Sequence, residues 1–208
     1  MSVHEVTHPL VRHKLGLLRD VTTDTEMFRR LVNELTLLLT YEATKDMALE
    51  EIEVETPLVK TRAHRIPGKK IAVCPILRAG MGMLDGVLSL IPVARVGFIG
   101  LYRNEETLQP VEYYVKLPAD IAERSVLLLD PMLATGNSTA KAVDVLKEAG
   151  AKHISLIALI AAPEGIATVQ KAHPDVEIVV ASIDSHLNEK GYIVPGLGDA
   201  GDRLYGTK

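Results

Sequence analysis

Asp130 closes an apolar run, Val126 to Leu129, and is followed after Pro131, Met132 and Leu133 by Ala134, Thr135, Gly136, Asn137, Ser138 and Thr139. A carboxylate at that place can accept hydrogen bonds from a sugar diol. The small residues after it let the backbone curl, so that successive N–H groups, a helix N-terminus and the hydroxyls of Thr135, Ser138 and Thr139 can surround a phosphate. The two halves together would hold a ribose 5-phosphate. The same residues also suit a plain Asp-Pro turn with an ordinary helix cap at Asn137 or Ser138. On its own the loop leaves both readings open.

Two other glycine-rich stretches have the letters of a nucleotide motif without its context. GLGDAG at 196–201 matches a dinucleotide fingerprint, but no strand–helix–strand unit surrounds it. GDRLYGTK at the C-terminus has Walker-like glycine spacing with Thr and Lys in the wrong order. The single cysteine, Cys74, lies inside IAVCPIL and reads as a buried core thiol; one cysteine excludes an internal disulfide framework or a thiolate metal cluster. A net charge of −4 argues against a general polyanion-binding surface, so no nucleic acid is expected as partner. Asp184 and His186 read as solvated or structural.

The elements that must hold the loop follow from hydrophobic pattern. Continuous runs rich in Val and Ile recur at residues 71–77, 94–102, 125–130, 153–162 and 177–183, separated by helix-period stretches at 80–91, 137–150 and 163–173. Continuous rather than alternating apolar strands predict an α/β fold with an open, mainly parallel sheet covered by helices on both faces. In such a sheet ligands gather beyond the carboxyl ends of the strands, where Asp130 falls. Before this core, Asp24 can cap a long amphipathic helix through residue 47 with Met27, Leu31, Leu35 and Leu38 on one face, and residues 52–66 resemble an edge hairpin. A second extended arm spans 105–118. Residues 186–208 lack periodicity and predict a structured loop or lid. One domain is expected over 1–208, with an approximate core at 68–184, an N-terminal helix and hairpin at 1–67 and a C-terminal hood at 185–208. No apolar run reaches the roughly 20 residues of a membrane helix, and the N-terminus lacks the apolar core of a signal peptide; the expectation is a cytoplasmic protein without membrane contact.

VLLLDPMLATGNST resembles the phosphoribosyl-pyrophosphate (PRPP) motif of type I phosphoribosyltransferases. Most relatives carry two adjacent acids, whereas Pro131 follows Asp130 here. That departure resembles the uracil phosphoribosyltransferase branch, as do PILRAGMGM at 75–83, LYRNEET at 101–107 and GYIVPGLGDAGDRLYGT at 191–207. Four separated motifs in order, from HPLVRHKLGLLRD to the last residues, make the resemblance specific.

The resemblance implies transfer of a phosphoribosyl group from PRPP to uracil, giving UMP and pyrophosphate. It implies a pyrophosphate loop at Arg78, Ala79 and Gly80, with Arg103 a second phosphate ligand on a mobile arm. Planar guanidinium groups suit that task through paired hydrogen bonds. PRPP would further meet Asp130, Pro131, Met132, Leu133, Ala134, Thr135, Gly136, Asn137 and Ser138. Asp199 would lie near PRPP and Mg2+, joining Arg78 and Arg103 as a catalytic group. Tyr192, Ile193, Gly198, Asp199 and Ala200 would form a hood over uracil. With Pro131 in place of a second acid, Mg2+ is expected to arrive mainly on PRPP and water, with no direct protein ligand. Asn137 stands where many relatives have glycine and would have to tolerate a left-handed turn. The long helix and hairpin suggest a homodimer or higher homo-oligomer, and GTP activates some members of the family. The competing readings are a purine or orotate phosphoribosyltransferase, disfavoured by Asp-Pro and the hood, and a nucleotide-sensing, RNA-binding regulator on the same fold.

Overall fold

A computed structural model describes residues 2–67, 71–103 and 110–207; of Arg103 it describes the backbone only. The chain opens with β1 (Val3–Glu5), α1 (Pro9–Arg19) and α2 (Thr25–Ala43), then forms a hairpin from β2 (Glu50–Glu55) and β3 (Lys60–Arg65). Next come β4 (Ile71–Leu77), α3 (Met81–Leu90), β5 (Arg95–Val96), β6 (Phe98–Arg103) and β7 (Pro110–Lys116). A short 3-10 turn leads to β8 (Ser125–Leu129), β9 (Met132–Leu133), α4 (Asn137–Glu148), β10 (His153–Ala161), α5 (Pro163–Ala172) and β11 (Glu177–Ile183). A small hairpin of β12 (His186–Leu187) and β13 (Ile193–Val194) precedes α6 (Ala200–Tyr205).

The central sheet has the order β1-β11-β10-β8-β4-β6-β7 and is parallel from β1 to β6; among the described residues only β7 runs antiparallel in it, against β6. Successive strand residues point to opposite faces, so a continuous apolar run must meet two cores. Ile71 and Val73, Leu127 and Leu129, and Val179 and Ala181 enter the core shared with α1, α2, α3 and α6. Their neighbours Ala72, Cys74, Val126, Leu128, Ile178 and Val180 enter the other core, with α4 and α5. Each large aliphatic buried in this way is worth about 1.5–3 kcal/mol, which is why these strands need helices on both sides.

α2 begins where the sequence places it, the Asp24 carboxylate accepting from the Met27 N–H at 2.8 Å. Its inner stripe is Phe28, Leu31, Val32, Leu35, Thr36, Leu39 and Thr40; of the expected stripe Leu31 and Leu35 lie in it and Leu38 packs half-buried against the same core, whereas Met27 is 44% exposed and its place is taken by Phe28. The helix ends at Ala43, short of residue 47. The hairpin β2–β3 exists, but among the described residues it pairs only with itself and is not an edge of the central sheet. The strand expected at 94–102 is two, because Gly97 interrupts it. Of the arm expected at 105–118, residues 110–116 form β7, and 105–109 lie outside the described residues. β1 and α1 were not anticipated. A three-residue strand carries no period, and α1 shows itself mainly through Pro9 at its first position and His8 accepting from the Leu10 N–H. Among the described residues, no helix is long and apolar enough to cross a membrane.

Candidate functional site

β4 and β8 are neighbours in parallel register, Pro75 opposite Leu129. The loops leaving them, Arg78-Ala79-Gly80 and Asp130 onward, therefore emerge side by side at the carboxyl edge, the usual ligand edge of such a sheet. Gly80 lies so close to β8 that a Cβ there would stand 2.5 Å from the Leu129 carbonyl oxygen. Arg78 is exposed, Ala79 half-buried and Gly80 buried. β6 is the next strand, with Gly100 opposite Leu77, so the backbone of Arg103 reaches the same edge.

After Asp130 the chain stays at the sheet. Pro131 accepts through its carbonyl from the Leu159 and Ile160 N–H groups at 3.1 and 3.2 Å, and Met132 and Leu133 pair with Ile160 and Ala161. Leu133 is fully buried, so only its main chain can meet a ligand. Ala134 and Thr135 are half-buried at the bend. Gly136 then turns into α4 with φ 82°, a left-handed conformation, and a Cβ on it would stand 2.6 Å from the Gly165 carbonyl oxygen. Gly165 is packed equally tightly in return, a Cβ there falling on the Ala134 carbonyl. The strained turn thus belongs to Gly136. Asn137 is already the first residue of α4 and does not have to adopt it, contrary to the sequence expectation. Asn137 and Ser138 lie half-buried in the first helical turn, beside the N–H groups that an α-helix leaves unpaired there.

The Asp130 carboxylate accepts from the Thr139 hydroxyl at 3.1 Å and, at the long distance of 3.4 Å, from the Met132 N–H. Thr139 is 1% exposed. Its hydroxyl faces the acid and not the loop, which corrects its expected place among the phosphate-facing hydroxyls. Burial pushes the Asp130 carboxyl up to about 6; the hydrogen bonds from Met132 and Thr139 oppose the shift without cancelling it.

The C-terminal segment has more regular structure than its glycine content suggested. β12 and β13 form a hairpin whose turn is organised by Asn188, the side-chain oxygen accepting from the Lys190 and Tyr192 N–H groups at 3.0 Å each. Asp199 then caps α6, accepting from the Asp202 N–H at 2.9 Å. Ile193 and Ala200 are buried, while Tyr192 is 42% exposed. Arg203 holds this segment from behind. Its guanidinium stands 4.3 Å over the Phe28 ring and donates to the carbonyls of Leu18, Leu197, Asp20 and Thr23. Tyr205 donates its hydroxyl to the Arg78 carbonyl at 3.0 Å, tying α6 to the loop after β4. Burial raises the pKa of Tyr205 against the opposing pull of Arg78 and Arg29.

A cavity of about 260 Å³ lies between the two halves, lined by Met132 and Ala134 from one side and Lys190, Gly191, Tyr192, Ile193 and Asp199 from the other. That is slightly under the roughly 300–1,000 Å³ of sites for drug-sized ligands, and suits a single small ring. Asp130, Arg78 and the 132–138 loop come together at one edge with Tyr192, Ile193 and Asp199. Gly198 instead faces a neighbouring hollow with Arg203 and Val21. Thr139, Arg203 and Tyr205 were missed as supports of this site, since their partners are distant in sequence. Among the described residues no three His, Cys, Asp or Glu side chains gather as a metal cage.

The family model described as uracil phosphoribosyltransferase matches residues 5–207. A uracil phosphoribosyltransferase of Clostridium botulinum (strain Eklund 17B / Type B) is 65% identical over 207 residues, covering 100% of this chain and 99% of its own. One of Clostridium perfringens (strain 13 / Type A) is 63% identical with the same coverage. Among solved structures, a protein of Aquifex aeolicus superposes with a TM-score of 0.94 at 42% identity, over 100% of this chain and 99% of that one.

Proposed function

Because the chain belongs to the uracil phosphoribosyltransferase family, we propose that it joins uracil to PRPP, giving UMP and pyrophosphate in pyrimidine salvage. The observation that carries this reading is the small cavity between Met132 and Ala134 on one side and Tyr192, Ile193 and Asp199 on the other. It offers a place for a pyrimidine ring next to a loop suited to the 5-phosphate. In the reaction, N1 of uracil forms the new bond to C1 of the ribose as the bond from C1 to the pyrophosphate oxygen breaks. The N1 proton is released, and the ribose passes through oxocarbenium character without a covalent enzyme intermediate.

Thr135, Gly136, Asn137 and Ser138 hold the 5-phosphate through main-chain N–H groups and hydroxyls. Asp130 accepts from the ribose hydroxyls, oriented by Thr139. Arg78, with Ala79 and Gly80 shaping its loop, stabilises the departing pyrophosphate, and Arg103 joins it from the arm. Tyr192, Ile193 and Asp199 close over the base, largely by main chain, with Gly198 and Ala200 shaping the segment behind them, and alignment of N1 with C1 supplies much of the acceleration. Phosphoribosyltransferases generally use Mg2+ with PRPP. Bound there, the ion would supply neutralisation of pyrophosphate charge, and Asp199 is the side chain assigned to face it or its waters. A homodimer and activation by GTP complete the proposal. Incubation with PRPP, Mg2+ and a panel of nucleobases, followed by product identification, tests it: UMP is the expected product, and a purine nucleotide or orotidylate would overturn it.

A further inference from the structure

Arg19, the last residue of α1, is far in sequence from the phosphate loop and the other three motifs above, yet its guanidinium reaches the hood. It forms a two-pronged pair with Asp184, Nη1 to Oδ2 at 2.7 Å and Nη2 to Oδ1 at 2.5 Å, and Nη1 also donates to the Gly196 carbonyl at 2.6 Å. Asp184 in turn accepts from the Gly196 N–H at 3.0 Å through Oδ2 and from the Ser182 hydroxyl at 3.0 Å through Oδ1, while its own N–H donates to Ala161 at 2.8 Å. The Asp184 side chain is 2% exposed and that of Arg19 22%.

A buried ion pair is weak evidence for stability, because packed apolar side chains often do as well. The informative feature here is the third partner. Both main-chain groups of Gly196 are taken, the N–H by Asp184 and the C=O by Arg19. Gly196 lies midway in sequence between Ile193 and Asp199, two of the hood residues that line the small cavity. Its neighbour Leu197 gives its carbonyl to Arg203. The peptide connecting the two cavity-lining positions is therefore held on the side of α1 by directed, charge-assisted bonds, whose geometry a merely apolar contact would not impose.

We propose that Arg19, acting with Asp184 through Gly196, is a positioning residue for the base: it sets where the hood main chain stands over the cavity, and thereby the apparent affinity for uracil and not that for PRPP. This rests on reading that cavity as the uracil site. Of the residues assigned to PRPP, those at 78–80 and 130–138 share no hydrogen bond with the pair among the described residues, and the Asp199 carboxylate is held separately, by the Asp202 N–H at 2.9 Å.

Three variants test it, each measured by thermal melting and by separate KM values for uracil and PRPP. Arg19→Lys keeps the charge but loses the fork. Arg19→Met leaves Asp184 unpaired. Arg19→Met with Asp184→Asn removes the lone buried charge while keeping an oxygen that can accept from Gly196. Uracil KM is expected to rise at least about tenfold in both Met variants, the scale of one charge-assisted hydrogen bond, and by less in Lys, with PRPP KM within about twofold throughout. The double variant should melt higher than Arg19→Met and still keep the raised uracil KM. Four results overturn the proposal: uracil KM recovering together with stability, PRPP KM rising in parallel, an unchanged uracil KM in a folded Met variant, or failure of all three to fold, which would make the pair a support of the fold as a whole. If the unmodified protein forms no UMP from uracil and PRPP, the reading of the cavity fails first and the proposal with it; activity in the unmodified protein with unaltered variants defeats the proposal alone.

Discussion

Asp130 carries a conflict between stability and binding that can be measured. An aspartate free in the unfolded chain titrates near 3.9, and burial moves this one to about 6 in the folded protein. A carboxyl with a raised folded pKa favours folding below its unfolded pKa, and that contribution is lost as pH rises from about 4 through 6. The difference is worth roughly 3 kcal/mol at neutral pH. Asp130→Asn should therefore raise the melting temperature at pH 7.5, with the gain fading at pH 4.5, while kcat/KM for PRPP falls because one acceptor for the ribose diol is lost. A lower melting temperature at pH 7.5 would count against burial as the dominant effect. Arg78→Lys is expected to weaken PRPP use although charge is kept, since the planar fork is lost; a Lys variant equal to the unmodified protein, compared with Ala at the same position, would show that the fork does not matter. At this scale the sequence was informative where chemistry dictates residue type, as in the acid followed by small residues. It was silent where partners depend on helix phase. Whether Thr139 faces the phosphate loop or the acid is decided by how α4 leaves Gly136, and no local pattern records that.

Among the elements, a tight constraint lies where α5 meets the loop assigned to the 5-phosphate. Gly165→Ala puts a methyl group against the Ala134 carbonyl, and overpacking of this kind destabilises by about 1–3 kcal/mol. Since the displaced carbonyl belongs to the loop assigned to the 5-phosphate, PRPP KM should rise as the melting temperature falls; normal PRPP saturation in the folded variant would place the phosphate site elsewhere. Arg203→Ala removes a ring contact and four carbonyl partners at once, and a loss of about 2–4 kcal/mol is expected from groups left unpaired behind the hood. Urea denaturation reads it, and a midpoint equal to that of the unmodified protein would show the clamp to be idle. Continuous apolar strands were legible because burial on both faces leaves no polar positions, as in Ile71–Leu77. The hood helix was not: Ala200–Tyr205 is six residues long, too short for a period, and exists because Asp199 caps it and Arg203 and Leu204 anchor it.

For the whole molecule, strand order does what no single element can. Placing β4 beside β8 brings the 78–80 and 130–138 loops to one edge, and the C-terminal segment crosses back so that Tyr205 touches the first of them. The family resemblance named the two loops and the C-terminal segment as parts of one site, through four motifs in order, but neither the strand order nor the Tyr205 contact; the apolar runs alone reached the open, mainly parallel sheet and its ligand edge. Integrity of that assembly has an internal reporter in Cys74, fully buried between β4 and the α4 face with its thiol pushed up to about 12 by burial. A thiol reagent should label it only on unfolding, and rapid labelling of the native protein would show an opening of the sheet. In the function proposed above, the hood reads the base mainly by main-chain groups. Uracil presents O4 as an acceptor and N3–H as a donor, and cytosine reverses both, so a fixed backbone would face donor with donor and acceptor with acceptor. The most direct measurement is the ratio of kcat/KM for uracil to that for cytosine at saturating PRPP and Mg2+. A ratio on the order of 10⁴ is expected from leaving buried polar groups unpaired; comparable turnover of the two bases would contradict the account.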